Sequence, residues 1–115
     1  MNTNATIMQL NFEYKGKAYC LEYTRATVQV METSGFNPND ISDKMMTRLP
    51  QMFAGAFLAH HRGTDAKLIE EIYGHITNRV ELFAKLREMY NSTLATLLEE
   101  PAEGDPGNVS WTASF

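Results

Sequence analysis

Three histidines, one cysteine and fourteen carboxylates are the side chains of this 115-residue chain that could hold a metal, attack a carbonyl or shuttle a proton. His60 and His61 are adjacent. Neighbours on a helix point about 100° apart, so this pair does not make the i, i+4 grip that holds zinc. The pattern predicts a semi-buried His60 at a helix end and a solvated His61, both favoured by the negative end of the helix dipole. Cys20 falls inside a segment that reads as a strand. A nucleophilic thiol needs an electropositive, accessible setting and a histidine partner. The chain shows neither near Cys20, which therefore reads as a small, half-buried hydrophobe. A single cysteine excludes an intramolecular disulfide framework and a cysteine-built zinc site. Glu70–Glu71 and Glu99–Glu100 read as solvated faces, and no glycine-rich loop could cradle a phosphate. Asn108-Val109-Ser110 matches a glycosylation acceptor, which matters only in a secreted chain. These residues predict no catalytic group, no metal and no cofactor.

Charge narrows the partners. The net charge is -4, and it is unevenly spread. Every Lys and Arg lies at or before Arg87, while Glu88, Glu99, Glu100, Glu103 and Asp105 follow it. A nucleic-acid binder needs a basic stripe to displace counterions from phosphates. None is visible, and the acidic end would repel DNA. Lys15 and Lys17 flank a turn and read as solubility residues. The longest apolar run, 52–59, is far short of the roughly 20 residues that span a bilayer. The opening MNTNATIMQL lacks the basic and apolar regions of a secretory signal. The expectation is a cytoplasmic protein of one domain, binding neither nucleic acid nor membrane.

The elements that must position any site follow from periodicity. Residues 6–14, TIMQLNFEY, alternate strictly. Met8, Leu10, Phe12 and Tyr14 share one face, as in a half-buried strand. KGK, 15–17, makes a short connection, and 18–23, AYCLEY, reads as the returning strand. Two strands alone are marginal in water, so the apolar face must rest on helices. Thr24 can cap a helix ending near Ser34, where Gly35 and Phe36 fit the Schellman positions C′ and C″, with Phe36 set against Met31. Asn37-Pro38 predicts a short helix over 38–45. A central helix is predicted over 47–61, with Pro50 in its first turn and Gly55 and Ala59 allowing close approach. Thr64 is the expected cap of the next helix. Asn78 with Glu81 suggests a loose capping box for a further one, with Val80, Phe83, Leu86 and Tyr90 as its stripe. Asn91-Ser92 is expected to interrupt that helix, and Pro101 to end the last turn. The fold class expected is α+β: a hairpin over 6–23 packed on four or five helices in 24–100. Residues 101–115 are expected to form a flexible acidic tail.

Some apolar residues stand out as candidates for binding a partner. Met45, Met46 and Met52 cluster before and within the central helix, beside Phe53 and Phe57. Flexible thioethers suit surfaces that accept varied apolar partners, although filling core gaps is their commoner use. VSWTASF places Trp111 and Phe115 beyond an acidic linker. That segment reads either as a docking element or as the completion of this molecule's own core.

Several stretches resemble a known family. FEYKGKAYCLEYTR, VQVMETSGF, LPQMFAGAFLAHHR, KLREMYNSTLATLL and GNVSWTASF look like the small proteins of Gram-positive phages and prophages grouped as DUF5055. That family is similar in size and gene setting to the tail assembly chaperones of long-tailed phages. The resemblance implies a non-enzymatic role in virion morphogenesis. The chain would bind the tape measure protein in the bacterial cytoplasm, keep it soluble until tail-tube subunits assemble, and self-associate. The alternative is a structural tail or head–tail connector component retained in the virion. A small enzyme would need convergent titratable groups in a pocket, which the sequence does not suggest.

Overall fold

The computed structural model describes residues 8–100, 104 and 106–115. Residues 6 and 7 of the expected first strand, and 101–103 and 105 of the tail, lie outside that range. The hairpin forms as expected, with β1 at Leu10–Tyr14 and β2 at Lys17–Leu21. Its loop is shorter than KGK, because Tyr14 pairs directly with Lys17. Lys15 and Gly16 have φ of 49° and 80°, the sign pair of a two-residue I′ turn, whose twist matches that of the strands.

Helix α1 spans Arg25–Thr33. Thr24 caps it, and Thr27 returns a hydrogen bond to the Thr24 N–H. The expected Schellman end is present. Phe36 N–H donates to Met31 C=O at 2.9 Å, and Gly35 N–H to Glu32 C=O at 3.0 Å. Gly35 supplies the required positive φ, 103°, and Phe36 is buried beside the same core as Met31.

The next stretch departs from expectation. Pro38–Asp40 is a single 3₁₀ turn rather than a helix over 38–45. Asp40 instead takes a two-pronged ion pair from Arg48, with Nε–Oδ1 at 2.7 Å and Nη2–Oδ2 at 3.1 Å. That pair holds the Asp40 carboxyl below the usual carboxylate range. It also clips the turn to helix α2, Met45–Gly55. Helix α2 starts two residues before the expected 47 and ends six before 61. Pro50 therefore lies inside the helix rather than in its first turn. Beyond Gly55 the chain winds on in tighter turns, with Ala56, Phe57 and Leu58 N–H each bonding the carbonyl three residues back. A Cβ on Gly55 would stand 2.5 Å from Met31 Sδ and 2.9 Å from Met31 Cγ. The bare Gly55 backbone is what lets α1 and α2 approach so closely.

Helix α3 spans Ala66–His75 and is capped by Asp65, one residue after the expected Thr64. Helix α4 runs unbroken over Arg79–Ala95. Asn78 precedes it with φ of 55° and makes no side-chain cap, so the loose capping box is not formed. Asn91-Ser92 does not interrupt α4, and the Thr96–Leu98 3₁₀ turn closes it.

The fold is thus α+β, a hairpin followed by four helices. Helices α1, α2 and α4 pack on one another. The inward face of the hairpin lies over Phe57, whose ring sits 5.9 Å from Tyr19 and 6.5 Å from Phe12. Helix α3 is held through Tyr73, between Phe53 of α2 and Phe83 of α4. At the hairpin tip, Tyr14 Oη donates to Glu71 at 2.5 Å and Lys15 pairs with the same carboxylate at 2.9 Å. These two partners keep Glu71 below the usual carboxylate range, the Tyr14 hydrogen bond contributing most. Glu71 is therefore an anchor for the hairpin, not part of a merely solvated face.

Candidate functional site

The structure divides the seven candidate partner-binding residues. Met52, Phe53 and Phe57 are 2%, 1% and 1% exposed, so they belong to the chain's own core and cannot touch a partner while the fold is intact. Their periodicity was that of a core helix, where methionine and phenylalanine are chiefly fillers. Met45 and Met46 are 54% and 92% exposed, and Trp111 and Phe115 are 82% and 112%. These four remain available to a partner. The aromatic pair of the tail does not complete the core.

Met45 borders a groove of about 380 Å³ between the start of α2, the end of α3 and the start of α4. Ile41, Leu49, Tyr73, Val80 and Phe83 share its lining, and Arg79 and Arg87 stand beside them. Val80 is 88% exposed, although periodicity had placed it on the inward stripe of α4. The stripe begins only with Leu82 and Phe83, because Val80 lies in the first turn, next to the left-handed Asn78. The Arg79 guanidinium covers the Tyr73 ring at 4.7 Å and donates to Gly74 C=O. An apolar trough of this kind, with cations at its border, suits the apolar stripe of an amphipathic helix flanked by acidic residues.

A second group of titratable residues gathers where the end of β2 meets the turns after Gly55. The three tightened steps at Ala56, Phe57 and Leu58 advance about 120° each rather than 100° before His61 N–H returns to Phe57 C=O four residues back, and this change of phase reverses the expected burial of the two histidines. His61 is half buried and His60 exposed. Cys20 N–H donates to His61 Nε2 at 2.9 Å, so that nitrogen carries no proton. Burial, followed by Lys17 and His60, holds the His61 pKa below its ordinary value. His60 Nε2 lies 2.6 Å from Glu22 Oε1, and Gln9 Nε2 donates to the same oxygen at 3.1 Å. Among the described residues Cys20, Glu22 and His60 form one group of metal-ligating side chains, their donor atoms within 4.8 Å of one another. The Cys20 thiol is pushed up by burial and by Glu22, which removes it from the reactive thiolates. Cys20 and Glu22, two apart on a strand, share a face by sequence alone. Nothing in the sequence brings His60 to them.

Fold and surface together define an α+β protein with an apolar groove and an exposed aromatic C-terminal segment. Residues 1–115 match a domain of unknown function, DUF5055, and the chain belongs to that family. No curated protein and no solved structure matches it. Among the described residues no helix is long and apolar enough to cross a membrane.

Proposed function

We propose that this chain is a phage or prophage tail assembly chaperone that binds the tape measure protein and keeps it soluble during tail morphogenesis, without catalysing a reaction. The observation that carries this reading is the groove beside Met45 and Val80. It offers apolar side chains to solvent, and Arg79 and Arg87 border it. A long helical protein exposes apolar stripes that aggregate until they are covered, and a groove of this kind covers them. The acidic residues after Arg87 add net charge that keeps such a complex dispersed. The test is co-expression with the tape measure protein of the same genome. The expected result is a tape measure protein that is soluble only with this chain present and elutes with it. Met45→Glu with Val80→Glu should weaken capture by at least about tenfold, since each exchange loses roughly 1.5–3 kcal/mol of apolar burial. Both positions are exposed, so the melting temperature should hardly move. Unchanged solubility and no co-elution would sink the reading, and presence of the chain in purified virions would favour a structural tail component instead.

Self-association is part of the proposal. The two-residue turn makes Tyr14 and Lys17 a hydrogen-bonded pair, and Phe12–Tyr19 and Leu10–Leu21 follow at every second position of the register, so the backbone groups of Asn11 and Glu13 point outward. Among the described residues no backbone group pairs with that outer edge. The C-terminal segment alternates Val109, Trp111, Ala113 and Phe115 with Ser110, Thr112 and Ser114, the period of a strand with one apolar face. A second copy's segment added to β1 would satisfy the edge and cover the half-buried Leu10 and Phe12. Sedimentation at high concentration should show oligomers that Trp111→Ser with Phe115→Ser dissociates. A strict monomer would count against it.

A further inference from the structure

We propose that Cys20, Glu22 and His60 form a site for one divalent transition-metal ion of the zinc class. The argument starts from the donor atoms. A thiolate sulfur, an imidazole nitrogen and a carboxylate oxygen are a mixed set that favours borderline-soft ions over magnesium or calcium, which prefer oxygen alone. The three atoms lie within 4.8 Å of one another. In a tetrahedral zinc site, metal–ligand bonds of about 2.0–2.3 Å place neighbouring donors about 3.3–3.6 Å apart. Small side-chain rotations reach that spacing, closing on the sulfur and opening the 2.6 Å contact between His60 Nε2 and Glu22 Oε1.

That contact is itself informative. At 2.6 Å His60 Nε2 and Glu22 Oε1 share one hydrogen, so the two donor atoms already face one another across the position an ion would enter. Loading moves no electrons. Cys20 Sγ exchanges its bond to hydrogen for a bond to the metal and releases that proton to buffer, while the hydrogen between His60 Nε2 and Glu22 Oε1 passes to His60 Nδ1 or to buffer, so that the Nε2 lone pair faces the ion.

The scaffold that presents the donors is fixed from both sides. Cys20 N–H is held by the His61 ring at 2.9 Å, and Glu22 N–H by Ala56 C=O at 3.1 Å. The outer edge of β2 is thereby tied to the turns that carry His60. Gln9 Nε2 donates to Glu22 Oε1 at 3.1 Å and so fixes the orientation of the carboxylate, as outer-shell partners of metal-ligating groups do. The His60 side chain is 43% exposed, and a shallow depression lined by Cys20 and His60 opens beside it, so solvent can reach a bound ion. Periodicity gave no reason to place His60 beside Cys20. The tightened winding after Gly55 brings them together.

The test titrates the full-length chain, its thiol kept reduced, with cobalt(II), followed by competition with zinc(II) and with magnesium(II). The expected result is one ion per chain and a thiolate-to-cobalt charge-transfer band in the near ultraviolet. Zinc should displace the cobalt and magnesium should not. Cys20→Ser should abolish the band. His60→Gln should weaken affinity by at least about tenfold, since losing only an outer-shell partner costs 10–100-fold. His75→Gln, remote from the group, should change nothing. Circular dichroism checks that each variant is folded, and Glu22→Gln replaces Cys20→Ser if that variant does not fold. It should also weaken binding at least about tenfold. Absence of the band in the unsubstituted chain would overturn the proposal, as would affinity unchanged by His60→Gln.

Discussion

Phe57→Ala is expected to cost about 3–5 kcal/mol, the range for deleting a buried aromatic side chain and leaving a cavity. Phe57 is 1% exposed. Its ring meets Phe53 at 5.3 Å, Tyr19 at 5.9 Å, His61 at 6.4 Å and Phe12 at 6.5 Å. Edge-to-face pairs of this kind each add about 0.5–1.5 kcal/mol beyond burial, and they join the hairpin to α2 and to the turn carrying His61. A small domain has only about 5–15 kcal/mol in total, so the substitution should leave a substantial unfolded population at physiological temperature. Phe57→Leu, which keeps most of the volume, should cost less than about 1.5 kcal/mol. Urea denaturation of the three proteins decides the matter. A loss below about 1 kcal/mol for Phe57→Ala would mean that Phe57 lies on the surface in solution and is available to a partner, as its sequence position beside Met52 and Phe53 suggested.

Phe57 also shows how far the sequence could be read. Alternation of Leu10, Phe12 and Tyr14 identifies a strand because each contact is local, and Thr24 and Gly35 announce the ends of α1 through their own backbone chemistry. The end of α2 has no such marker. Residues 52–59 are apolar without interruption, so periodicity cannot say where winding changes. The change is set by tertiary partners, since Tyr23 Oη takes the Met52 carbonyl and Glu22 N–H takes the Ala56 carbonyl. Asn91 and Ser92 were expected to break α4, but their helix propensities fall short of alanine by only about 0.7 kcal/mol or less each. Burial of Met89 and Tyr90, with Leu94 against the same core, outweighs that. The candidate surface was half legible. Met45, Met46, Trp111 and Phe115 stand out by type, whereas Val80 becomes exposed only through the left-handed entry at Asn78. The grouping of Cys20, Glu22 and His60 spans separate segments that only folding joins.

The carbonyl bonded by Tyr23 leads to the second large effect, a loss of stability in alkali. Ala56 N–H turns to the Phe53 carbonyl, so the Met52 carbonyl loses the partner four residues on that an unbroken helix would supply. Tyr23 Oη donates to it at 2.6 Å. Burial first, and then Tyr90, push the Tyr23 phenol far above its ordinary value. The folded chain therefore keeps this proton, while the unfolded chain releases it near pH 10. Above that pH the unfolded state binds fewer protons, so stability falls as pH rises, by about 1.4 kcal/mol per unit for this one group. The loss begins at the unfolded phenol value and would end only at the folded one. Phenolate absorbance and circular dichroism, followed together, should show Tyr23 ionising only as the fold collapses. At neutral pH Tyr23→Phe should cost about 1–3 kcal/mol, because the Met52 carbonyl is left buried without its donor. Tyr90 provides the contrast. Its ring is equally buried, but among the described residues its hydroxyl has no hydrogen-bond partner, so Tyr90→Phe should be neutral or slightly stabilising at the same pH. Equal costs for the two substitutions would refute the capping role of Tyr23. So would ionisation of all 5 tyrosines with the dichroism still native.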